Sequence, residues 1–86
     1  MELYCIYFPK RDKYQAAMTR TREPVPGLLV FRTFQAVNAC IEALEKPGAV
    51  PKKMLTSELK AMCAERGICG SLMIMDDPEA PEVIYC

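Results

Sequence analysis

The side chains that could do chemistry are few, and the residue type that is missing narrows the field first. No histidine occurs among the 86 residues. The usual neutral-pH base and the commonest metal ligand are therefore absent, and no Ser–His or Cys–His nucleophile pair can be built. Carboxylates, lysines and tyrosines can still do acid–base work, so an enzyme is disfavoured but remains open.

Five cysteines are the strongest nucleophiles: Cys5, Cys40, Cys63, Cys69 and Cys86. None forms a Cys-x-x-Cys pair, so zinc-site spacing is lacking. Thiol reactivity needs a lowered pKa, for which the local sequence offers little support. The cysteines read as small buried apolar residues. Their number is odd, and Met1-Glu2 leads straight into a strand-like segment without a basic, then apolar leader. These features predict five free thiols in a reducing, cytoplasmic setting. No apolar run approaches the length of a membrane span.

Other chemical features reduce to local structure. Asp76-Asp77 ahead of Pro78 could hold a hard cation, but fits turn chemistry better. Gly67-Ile68-Cys69-Gly70 matches the G-x-x-G pattern that clamps RNA backbone in some folds. Here it reads as a helix cap followed by a turn. No phosphate-binding or dinucleotide fingerprint is present. No metal and no cofactor is expected.

Charge gives one more candidate. Eleven basic residues offset eleven acidic ones, so the formal net charge is zero. Six basic and three acidic residues lie in 1–34, while 67–86 carries Asp76, Asp77, Glu79 and Glu82 with no basic residue. Lys10, Arg11, Lys13, Arg20 and Arg22 share one segment with Tyr14, a pattern that can grip single-stranded nucleic acid. The neutral total and the lack of a recognised motif favour a solvated face instead. At most weak binding that salt removes is expected.

The elements that must position these residues follow from periodicity. Leu3 to Phe8 reads as a strand stopped by Pro9. Arg11 to Arg20 reads as a weak helix with Tyr14, Ala17 and Met18 on one face. Glu23 to Gly27 is a loop, and Leu28 to Arg32 a second strand. Thr33 caps a helix whose stripe is Phe34, Val37, Ile41 and Leu44, ended by Lys46-Pro47-Gly48. A further helix lies between Pro51 and Arg66, striped by Leu55, Leu59, Met62 and Cys63, with Gly67 as its left-handed cap. Ser71 to Met75 and Glu82 to Tyr85 are strands joined by a turn. The chain is read as one α+β domain spanning 1–86. The expected form is a two-layer sandwich: a mixed or antiparallel sheet of about four strands, with two to three helices on one face.

The strands carry the functional hint. Leu3, Cys5 and Tyr7 share one face of the first strand, and Tyr4, Ile6 and Phe8 the other. Both faces are apolar, as are both faces of Ser71 to Met75. A sheet with one wet face should alternate apolar with polar residues. An apolar face larger than a few hundred Å² is unusual on a monomer. The preferred reading is a non-enzymatic interaction protein whose partner, another protein or a second copy forming a homodimer, covers a face around Tyr4, Ile6 and Phe8. Two alternatives remain: a nucleic-acid module using the basic N-terminal half, and a small enzyme or ligand-binding domain without histidine chemistry.

Overall fold

The computed structural model describes residues 1–67 and 70–85. It shows a small α+β fold with a mixed sheet of seven strands and two helices. In chain order these are β1 (Glu2–Phe8), β2 (Lys13–Tyr14), β3 (Ala16–Met18), β4 (Pro26–Phe31), α1 (Phe34–Leu44), β5 (Val50–Leu55), α2 (Thr56–Arg66), β6 (Ser71–Ile74) and β7 (Glu82–Tyr85). The α+β class is as expected from sequence. Three features differ.

The first is the segment expected to be a weak helix. Residues 11–20 instead hold β2 and β3, a narrow wedge in the fork between β1 and β4. Gln15 is its apex. Its N–H donates to the Ile6 carbonyl, and its own carbonyl accepts from Leu29 N–H. One three-residue helical repeat is weak support for a helix. Backbone pairing with two waiting strands outweighs it.

The second is β5, which occupies residues expected to open the second helix. Val50 to Leu55 pairs antiparallel with β1 along its whole length, from Tyr7↔Val50 to Glu2↔Leu55. Helix α2 begins only at Thr56. Leu55 has extended backbone, and its N–H donates to the Glu58 carboxylate at 3.0 Å. Pro51 removes one donor, which an edge strand tolerates.

The third is the placement of the helices. Strand order is β5-β1-β4-β6-β7, with the β2–β3 wedge between β1 and β4. β4, β5 and β6 run parallel to one another. The β4–α1–β5 crossover moves one way across the sheet, and β5–α2–β6 moves back the other way. Right-handed crossovers in opposite directions put their helices on opposite faces. The core accordingly falls into two halves. Leu59, Met62 and Cys63 of α2 pack on Leu3, Cys5, Leu28 and Leu72. Val37 of α1 shares the other cluster with Ile6, Leu29, Phe31 and Met73. Both helices were expected on one face; each face has one.

Local signals in the helices stand. Thr33 Oγ1 accepts from Ala36 N–H at 3.1 Å, capping α1. Gly67 closes α2 with φ +60°. Gly27 answers a packing demand between β4 and β6: a Cβ there would lie 2.8 Å from Ser71 Oγ and 2.9 Å from Met73 Cγ.

Candidate functional site

The two helices cover their faces unequally, and topology explains why. Helix α2 links β5 to β6 and crosses the width of the sheet, so its side chains reach both Leu3 and Leu72. Helix α1 links β4 to β5 and touches β1, β4 and β5. The β6–β7 half of the α1 face is left open. A groove of about 350 Å³ lies there. Leu29, Met73 and Val83 form its floor, with Ala17 and Met18 on one side. Met75, Pro78 and Pro81 wall the far side, and Arg20 with Thr21 completes the rim.

The lining is apolar and adaptable. Three methionines, Met18, Met73 and Met75, contribute to it; their unbranched thioethers repack around varied shapes. Met18 is 56% exposed, a large apolar side chain given to water beside an apolar floor. Arg20 is the one charged residue among those lining the groove, and it makes no ion pair among the described residues.

Strand β7 borders the groove and is an edge strand, paired only with β6 among the described residues. Its outer edge carries no proline and no lysine. Tyr85 at its end is 61% exposed. The opposite edge strand, β5, is blunted by Pro51, Lys52 and Lys53, the residues that discourage strand addition. Lys52 Nζ lies 4.6 Å from the Tyr7 ring centroid and Lys53 Nζ 5.6 Å from that of Tyr4.

The interface candidates read from sequence lie elsewhere on this face. Ile6 is fully buried under α1. Tyr4 and Phe8 are half-buried against the same cluster, and Tyr4 meets Phe34 edge-on at 5.9 Å. The face is apolar as expected, but α1 occupies this half. The open half, with Met18 and Val83, was not singled out. Its signal was the second apolar face of Ser71 to Met75, where Met73 and Met75 share a side.

The basic candidates divide. Lys10, Arg11 and Lys13 stand at the turn between β1 and β2, where two adjoining clefts of about 450 and 590 Å³ flank residues 13–16. Arg20 turns to the groove. Arg22 lines a separate depression with Tyr85. Two cations distant in sequence join the turn: Lys46, whose Nζ donates to Gln15 Oε1 at 3.1 Å, and Arg66 from the end of α2.

Beside these clefts lies the densest cluster of titratable groups described. Tyr7 donates to Asp12 Oδ1 at 2.9 Å, Arg66 pairs with Asp12 Oδ2 at 3.0 Å, and Lys52 Nζ donates to the Tyr14 hydroxyl at 3.0 Å. The Tyr7 and Tyr14 rings lie 4.8 Å apart. Every shift leads away from neutrality. The hydrogen bond to Asp12 raises the Tyr7 pKa. Those from Tyr7 and Arg66 lower that of Asp12. The contact with Tyr14 raises that of Lys52. A general base should be poised near the working pH, and none of these groups is. The arrangement fastens the β1–β2 turn, where Asp12 takes a positive φ of 49°.

The thiols give one correction. Cys5 is buried and donates to the Lys52 carbonyl at 3.4 Å; desolvation pushes its pKa up to about 11. Burial also raises that of Cys40. Both are free. Cys63 is disulfide-bonded, against the expectation of five free thiols; an odd count leaves at least one sulfur over but does not prevent a bridge. Cys69, Cys86 and the middle of the G-x-x-G segment lie outside the described residues.

Asp77 serves turn chemistry, its Oδ1 accepting from Glu79 N–H, whereas Asp76 Oδ1 accepts from Arg32 N–H and ties the end of β6 to the end of β4. Among the described residues no group of three or more His, Cys, Asp or Glu is placed to hold a metal ion, and no helix is long and apolar enough to cross a membrane. No protein-family model matches the chain, and neither the curated proteins nor the solved structures searched contain a significant match.

Proposed function

We propose that the protein is a non-enzymatic interaction domain that takes an extended segment of a partner protein onto the free edge of β7. The observation that carries this reading is the open half of the α1 face: an apolar groove beside an unblunted sheet edge. Strand addition draws affinity from main-chain hydrogen bonds and specificity from pockets for alternate side chains. The β7 edge would supply the first, and the groove floored by Leu29, Met73 and Val83 the second. Arg20 at the rim, without an ion-pair partner among the described residues, selects a segment carrying a carboxylate. Tyr7, Lys52 and Asp12, whose shifts all lead away from neutral pH, add no support for an enzyme.

A display library of random twelve-residue peptides is the probe. Selected peptides should alternate apolar with polar residues, carry an acidic group, and lose binding to Val83→Lys and to Met18→Asp. Circular dichroism should show both variants folded. Peptides that bind those variants as well as the wild type would overturn the reading. Sedimentation equilibrium decides the competing occupant. A wild-type dimer at micromolar concentration, split by Val83→Lys, would assign the edge to a second copy instead.

A further inference from the structure

Strand register sorts charge to the two ends of the sheet. β1 ends where β2, β4, β5 and β6 begin or turn, so the segments around 9–12, 19–25, 45–49 and 66–67 meet at one end. That end gathers Lys10, Arg11, Lys13, Arg20, Arg22, Lys46 and Arg66, against Asp12, Glu23, Glu45 and Glu65. The other end carries Glu2, Glu58, Asp76, Asp77, Glu79 and Glu82, with Arg32. The acidic stretch of the chain, which would have repelled a polyanion from the basic one, stands a strand's length away.

We propose that the cationic end binds single-stranded nucleic acid along the clefts that flank residues 13–16. Three observations carry this. Lys10, Arg11, Lys13 and Lys46 make no ion pair among the described residues. No carboxylate lines the 450 Å³ cleft, and the carboxylate at the second cleft, Asp12, is already paired with Arg66. The two clefts share Arg11, Lys13 and Tyr14, so they form one track around the turn. Along that track cations stand beside apolar surfaces, the half-buried Phe8 and the exposed Pro47, while the Tyr14 ring that lines both clefts is already held by Tyr7, Lys52 and Arg66. A backbone of phosphates with a planar base on each unit matches unpaired cations set beside the Phe8 ring and Pro47. An acidic peptide matches the charge alone. This surface is separate from the groove at β7, so the two functions stand or fall independently.

The test is fluorescence anisotropy with a labelled twelve-nucleotide oligothymidylate. Four phosphate contacts predict a log–log salt slope of roughly −3, so raising salt fourfold should weaken binding by about fifty-fold. The triple variant Lys10→Gln/Arg11→Gln/Lys13→Gln should abolish binding. Lys46→Gln, remote in sequence, should weaken it several-fold and flatten the slope by roughly one contact. Met18→Asp, in the groove, should bind like the wild type. All the replaced residues are exposed, and thermal melts should be unchanged. Absence of binding at low salt, an unaffected Lys46→Gln, or equal affinity for a twelve-residue polyglutamate would each overturn the inference.

Discussion

Ile6 and Met73 point to the same side of the same sheet and are both buried in one cluster, yet different elements flank them. Ile6 lies beneath α1, while Met73 forms the floor of the β6–β7 groove. Nothing in the character of the two strands separates them: both are apolar on both faces. The difference comes from connectivity. A helix joining β4 to β5 must lie over the strand between them, β1, and cannot also lie over β6 and β7. Helix α2 has a longer reach because it returns from β5 across β1 and β4 to β6. Unequal helix reach, rather than unequal strand hydrophobicity, opens the groove.

The sheet edges repeat the contrast. β5 carries Pro51, Lys52 and Lys53 and discourages pairing. β7 has Glu82 at its start, tied to Arg32 by a salt bridge, and then Val83, Ile84 and Tyr85. A strand that must stay unpaired gains from lysine and proline. A strand that takes a partner does not.

The sharpest way to break the comparison is to put a charge under each half. Ile6→Asp should unfold the protein or cost at least about 3 kcal/mol, because an isolated carboxylate would sit in the covered core. Urea titration reads it. The same charge at Met18, more than half exposed, should change stability by less than about 0.5 kcal/mol. A folded, stable Ile6→Asp would mean that α1 does not hold that half.

Gly27→Ala comes next. The added Cβ meets Ser71 and Met73 between the strands that floor the groove, and overpacking of this kind costs about 1–3 kcal/mol. The same denaturation measurement should show it, and peptide binding at the groove should weaken along with stability.

The covered side also makes a pH prediction. Cys5 has a raised pKa, so the unfolded chain loses this proton first as pH climbs. Stability should be constant below the ordinary value of 9.0 and fall as pH rises toward about 11. Cys5→Ala should reduce that alkaline loss, leaving the part due to the raised pKa values of Cys40, Tyr7 and Lys52. A thiol count on unfolded, non-reduced protein should give fewer than five groups, and five after reduction, because Cys63 is bridged. Five before reduction would restore the sequence expectation.

The smallest effect lies at the β1–β2 turn. The Asp12 pKa is lowered, so its contribution is present above the ordinary value of 3.8 and lost as pH falls through the lowered one. Carboxyl chemical shifts should titrate below the ordinary aspartate midpoint. Arg66→Gln should bring the midpoint partway back, leaving the Tyr7 contact.

The sequence by itself determined the local pieces. Thr33 before an apolar stripe marked α1, Leu59 with Met62 and Cys63 marked the face of α2, and Gly67 marked its end. The lack of apolar–polar alternation in Leu3 to Phe8 and Ser71 to Met75 showed a sheet apolar on both sides. These features depend on contacts within a few residues, which a linear pattern records. Tertiary structure decided what spans the chain. Residues 11–20 became a wedge because β1 and β4 offered unpaired backbone. Val50 to Leu55 became a strand because β1 offered an edge. Lys46 and Arg66 joined Lys10, Arg11 and Lys13 because three strand directions ended their loops at one place. Which half of an apolar face stays open depends on crossover order and hand, a property of the assembled sheet that no window of residues contains.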